Sequence, residues 1–135
     1  MNTLMRFAVI LHVVIAGWHG ASHQLLPVPL TMAQTAFVAI VIMALPVLGA
    51  ALSYTRQALA GSMLVLVSML AALAFGVINH FVLVSVDNVW CVPQGPWQRS
   101  FVTSAVLVAA SELFGVIAAA LACRQLLQAR PAAAG

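Results

Sequence analysis

The chain has 135 residues, of which 64% are hydrophobic and only 5% charged. A soluble surface needs about a quarter of its residues charged, so with a mean hydropathy of +1.13 a water-covered globular domain is excluded and lipid must cover most of the molecule. The net charge of +3 comes from five Arg scattered singly and no Lys, which excludes the basic patch that nucleic-acid binding requires.

The first apolar segment covers about residues 4–26 and carries His12, His19 and His23. It ends in "LLPVPL", where Pro27 and Pro29 stop a helix. The second covers about 30–53 and holds Pro46, which predicts a kink. "SYTRQ" around Arg56 separates it from the third, about 59–85, which ends near His80. The longest polar loop, "VDNVWCVPQGPWQR", contains Asp87 and Cys91. The fourth segment covers about 100–124, holds Glu112, and is followed by a short "RPAAAG" tail expected to fray. Each segment reaches the roughly 20 residues that cross a bilayer core as a helix. Helix is forced because lipid cannot satisfy backbone N–H and C=O groups. The runs do not alternate with period two, as barrel strands do. The expected fold is one all-α membrane domain over residues 1–135, a four-helix transmembrane bundle.

Arginine placement predicts orientation. With a cytoplasmic N-terminus, Arg6, Arg56, Arg124 and Arg130 lie inside and only Arg99 outside, as the positive-inside rule asks. Both termini are then cytoplasmic, the chain is a multi-pass inner-membrane protein, and Trp18, Trp90 and Trp97 gather at the outer interface. The first 22 residues are similar to a signal peptide, but His12 within the apolar core and Trp18 before the cleavage point argue against that reading. Cys91 and Cys123 fall on opposite sides of the bilayer, too far apart to bridge. Cys91 is free to pair with another chain, whereas Cys123 reads as a small apolar residue.

Ionisable residues inside a bilayer are costly and point to function. His12, His19 and His23 are spaced by seven and four residues, which puts them on one helical stripe. Ser68, Ala72, Gly76 and His80 form a ridge at every fourth residue, and Ser111, Gly115 and Ala119 form another beside Glu112. Small residues so spaced let helices approach closely in lipid, so the first, third and fourth helices are expected to pack together. At 1.5 Å per residue His23 lies about 5 Å deep, His19 and His80 about 10 Å, and His12 and Glu112 about 20 Å. The outer layer, with Asn79, Gln34 and Asp87 nearby, suits a metal ion. His19, His23 and His80 are the candidate ligands, with Asp87 or Glu112 as a further ligand or a group behind one. Zinc, iron, copper and manganese all accept such donors. His19 and His80 at one depth also meet the crude requirement for haem. The bland alternative is that these histidines only bond to water, headgroups or carbonyls at the interface. Glu112 in the middle layer suits a proton-carrying group with His12 as its expected partner, the alternative being a protonated carboxyl with a structural role.

Size and helix count resemble the small multidrug resistance transporters. That family carries its essential Glu in the first helix, whereas here it is Glu112 in the fourth, so its function does not carry over. "HGASH", "SMLAALAFGVINHF", a D-x-V after it, and W-x-x-x-F before "SELFG" resemble a group of small bacterial membrane proteins. That resemblance covers most of the chain and implies a four-helix bundle without implying an activity. Three functions are therefore expected to compete. The first is a metal-binding membrane protein using His19, His23, His80, Asp87 and Glu112. The second is a small proton-coupled transporter using His12 and Glu112, working as a homodimer. The third is a non-catalytic accessory subunit of a larger membrane complex.

Overall fold

A computed structural model describes residues 2–129. Four helices are each long and apolar enough to cross a membrane: α1 (Thr3–Leu25), α2 (Met32–Leu52), α3 (Ala58–Val82) and α4 (Gln98–Gln128). No strand occurs among the described residues. The protein is a multi-pass four-helix membrane protein. Phe7, Ile10, Val14, Val67 and Ile117 project outward and are half exposed or more, as a surface solvated by acyl chains requires. The tail from Arg130 onward, including the fourth of the inward-expected arginines, lies outside the described residues.

Helix ends follow local chemistry. Leu26 is extended, and Pro27 and Pro29 prevent α1 from resuming. At the start of α2 the Thr31 hydroxyl accepts from the Gln34 N–H, while the Gln34 side chain accepts from the Thr31 N–H. This reciprocal cap satisfies donors that lipid cannot. α3 stops at Val82 rather than near residue 85, because Leu83 turns extended and its carbonyl accepts from the Asn88 side chain. The chain thereby folds back over the bundle end. α4 runs to Gln128, past the expected stop near 124.

Two stretches are π-helical, Val38–Ala44 in α2 and Ile78–Val82 in α3. A π turn inserts an extra residue and rotates the face that follows, and such turns recur at functional sites. The first precedes Pro46, which has no N–H to offer the Ile42 carbonyl four residues back. The second carries His80.

α4 packs along both α1 and α3, and α2 lies against α3 and touches α1. The small-residue ridges are at these seams: Ser68, Ala72, Gly76, Ser111, Gly115 and Ala119 are all buried. Met5, Ala8, Val9, Val65, Met69 and Ala119 fill the core toward the α1 N-terminus. There Arg6 locks α1 to the α2–α3 turn. It donates from Nε to Ser53 Oγ and from Nη2 to the Ser53 carbonyl, both at 2.8 Å, and lies 3.5 Å over the Tyr54 ring. Leu26, Val28, Val92 and Phe101 form a second core at the opposite end.

α2 and α3 cross closely at two glycines. A Cβ on Gly49 would stand 2.7 Å from the Gly61 carbonyl oxygen, and one on Gly61 2.5 Å from that of Gly49. Backbone cannot yield as a side chain can, so Gly61→Ala must push the helices apart. Expected is a stability loss of about 1–3 kcal/mol, read by thermal or chemical unfolding in detergent. Gly17→Ala, whose Cβ meets nothing within 4 Å, is the matched control and should be near neutral. Equal stability of both variants would refute the tight crossing.

Candidate metal centre

α1 and α4 run antiparallel and are joined by hydrogen bonds at matched steps. His12 Nδ1 lies 3.2 Å from Ser111 Oγ. His19 Nδ1, seven residues on, lies 2.9 Å from Ser104 Oγ, seven residues back. Ser22 Oγ then meets Ser100 Oγ at 3.0 Å. In lipid each polar side chain needs such a partner, so the histidine stripe of α1 and the serine stripe of α4 fix each other's register.

That register brings His19 and His23 of α1 against His80 of α3. His19 Nε2 is 3.1 Å from His80 Nε2 and 3.2 Å from His23 Nε2. All three residues are buried, and one nitrogen from each falls within a 4.8 Å cluster. Phe101, fully buried on α4, packs its ring 4.9–5.8 Å from all three imidazoles and forms a dry wall.

The outward nitrogens settle where the protons sit, because a carbonyl can only accept. His23 Nδ1–H donates to the Val28 carbonyl at 3.1 Å. His80 Nδ1–H donates to the Asp87 carbonyl at 3.0 Å. Their Nε2 atoms therefore present lone pairs to His19. His19 differs, since its Nδ1 faces a hydroxyl that can give or take a proton. When Ser104 donates to the Phe101 carbonyl, 3.0 Å away, it accepts from His19 Nδ1–H, and three lone pairs then converge. With all three rings neutral, at most one proton lies among the three Nε2 atoms. A cation between them satisfies all three.

The loop after α3 closes the end of the bundle beside the three histidines. Asp87 and Asn88 are buried, and the Val89 N–H donates to the His80 carbonyl at 3.0 Å. Asp87 Oδ1 stands 3.1 Å from His80 Nδ1 and 3.5 Å from His23 Nε2. Burial pushes the Asp87 carboxyl up, but the hydrogen bond from His80 beside it holds it below the ordinary carboxylate range.

Glu112 is fully buried on α4 and lines one cavity of about 60 Å³ together with His19, His23, His80, Asp87 and Gly76. It lies outside the three-histidine cluster. Neither of its oxygens has a hydrogen-bond partner among the described residues. His12, its expected partner, is engaged elsewhere: Nδ1 with Ser111, and Nε2 with the Ile42 carbonyl at 3.1 Å. That is the carbonyl facing Pro46, so His12 answers a backbone need. Gln34 and Asn79 bond to each other at 3.3 Å and tie α2 to α3. Both cysteines are free among the described residues, Cys91 exposed and Cys123 buried.

Sequence reasoning passed over Ser104, Phe101 and the Val28 carbonyl. The signal for Ser104 was available, because Ser104 and Ser111 repeat on α4 the seven-residue step of His12 and His19 on α1. Phe101 carried no such mark. Comparison with protein-family models, curated proteins and solved structures finds no match to this chain.

The proton assignments are open to test by ¹⁵N NMR of ring-labelled protein. His23 and His80 should be protonated at Nδ1, and His12 at Nε2, where it donates to Ile42. A ring of His23 or His80 protonated only at Nε2 would overturn the assignment.

Proposed function

We propose that the protein binds a transition-metal ion within the membrane, through Nε2 of His19, His23 and His80, with the Asp87 carboxylate beside them. The observation that carries this reading is the convergence of three imidazole nitrogens whose opposite nitrogens are already held by protein acceptors. Metal-bound histidines usually donate their second N–H to a carbonyl, carboxylate or hydroxyl, which sets the tautomer and ring orientation. Val28, Asp87 and Ser104 are placed to play that part. Bonds of about 2.0–2.1 Å at tetrahedral angles separate ligand nitrogens by about 3.3 Å, close to the 3.1 and 3.2 Å from His19 to its two neighbours, in a cluster that spans 4.8 Å.

A bare ion is favoured over haem. Two axial imidazoles stand on opposite faces of the porphyrin, and no macrocycle fits between nitrogens 3.1 Å apart. Within the orientation expected from the arginines, the protein is a bacterial inner-membrane protein with cytoplasmic termini, and the site lies near the outer face. Such a site can hold, sense or pass on the ion.

Elemental analysis of detergent-purified protein, prepared without chelators, should give about one zinc, iron, copper or manganese per chain. His19→Ala and His80→Ala should each abolish it, while His12→Ala should retain it. Ser104→Ala should leave the ion bound but about 10–100-fold more weakly, as read by competition with a chromophoric chelator. Absence of stoichiometric metal in the wild-type protein, and after incubation with each of these ions, would sink the proposal.

A further inference from the structure

The chain has two acidic residues in all, Asp87 and Glu112. They come from different parts of the sequence, a loop and a mid-membrane helix, yet both line the cavity that the three histidines face. No arginine pairs with either among the described residues, where the ion-pair contacts of Asp87 are all with His23 and His80. Among the described residues, both oxygens of Glu112 and Oδ2 of Asp87 are buried without a hydrogen-bond partner, and Asp87 Oδ1 has only the imidazoles beside it. Unpartnered buried polar atoms are rare in native proteins and call for a specific occupant. Gly76 lines the cavity beside Glu112, and a Cβ there would come into ordinary contact with Oε2 at 3.4 Å.

Charge balance then limits the occupant. Imidazole ligands are neutral when they bind a metal, so three histidines leave the full charge of the ion uncompensated. In surroundings this apolar an uncompensated charge is costly. A monovalent ion is neutralised by Asp87 alone and leaves Glu112 without a partner. A divalent ion is neutralised by the two carboxylates together.

We infer that the cavity is built for a divalent ion, with Asp87 as one counter-charge and Glu112 as the other, Glu112 acting through a water bound to the ion. This rests on the metal-binding reading above. Glu112 lies beyond the histidine cluster, and the cavity of about 60 Å³ has room for an ion and a few waters. A water in that position makes the site open-sided, of the kind that keeps an exchangeable ligand, unlike a structural site closed by four protein ligands.

The test uses Co²⁺ as the divalent probe and Ag⁺ as the monovalent one, on the full-length protein in detergent. Wild-type protein should bind one Co²⁺ per chain, with visible d–d absorption, and equimolar Ag⁺ should not displace it. Glu112→Gln preserves shape and removes the charge. It should weaken Co²⁺ binding about 10–100-fold and leave Ag⁺ affinity unchanged, with folding checked by circular dichroism. Unaltered Co²⁺ affinity in Glu112→Gln would overturn the inference. So would displacement of Co²⁺ by Ag⁺ in the wild-type protein, a measurement that does not depend on the variant folding. Tight Ag⁺ binding at the histidines without Co²⁺ would refute divalent selectivity and leave the metal-binding reading standing. Binding of neither ion overturns both.

Discussion

Inside a bilayer no water is available to a polar atom, and in this bundle that constraint organises everything else. The side chains of α1 that need partners, His12, His19 and Ser22, find Ser111, Ser104 and Ser100 on α4. Sliding either helix by one turn would break all three pairings; Ser22, Ser104 and Ser111 would keep the carbonyls of their own helices, so the cost falls on the histidine nitrogens. The same need explains His12, whose Nε2–H serves the Ile42 carbonyl that Pro46 cannot. Pairing of this kind sets the α1–α4 register. Close apolar crossings, at Gly49–Gly61 and along the buried ridges of α3 and α4, set the remaining distances.

The four histidines thereby divide into two kinds. His12 has both ring nitrogens engaged by protein atoms of other helices and behaves as a structural group. His19, His23 and His80 each have the outward nitrogen engaged and the inward one turned toward the other two. Partner chemistry makes the difference. Two of the three outward partners are carbonyls, which only accept, so the inward nitrogens of His23 and His80 hold lone pairs. Ser104 is the adaptable member, a hydroxyl that can serve His19 in either tautomer. Phe101 excludes water on one side and the loop bearing Asp87 covers another, which leaves the cavity toward Glu112 as the open direction.

Much of this architecture is legible in the residues. Four uninterrupted apolar runs with Pro, Gly and Arg breaks can only be four spanning helices, because no other secondary structure satisfies its backbone alone in lipid. The spacing of His19 and His23 by one helical turn, and the depth shared by His19 and His80, already marked the triad. Asp87 was legible from its place just past the third helix. Ser104 was legible in principle, from a serine stripe that matches the histidine stripe. The π turns were not, since they arise from how α2 and α3 accommodate their neighbours and have no periodic signature of their own.

By itself, then, the sequence determined the membrane class, the number of helices, their approximate ends and the faces that must point inward. These are properties of hydropathy and spacing along one chain segment at a time. Only the tertiary structure decided that His12 and Glu112 stay apart, that Phe101 walls the histidines, and that the loop folds back to set Asp87 against His80. Those outcomes depend on the relative rotation and shift of separate helices. They follow from hydrogen-bond matching and side-chain packing between segments far apart in sequence, which no spacing within a single helix records.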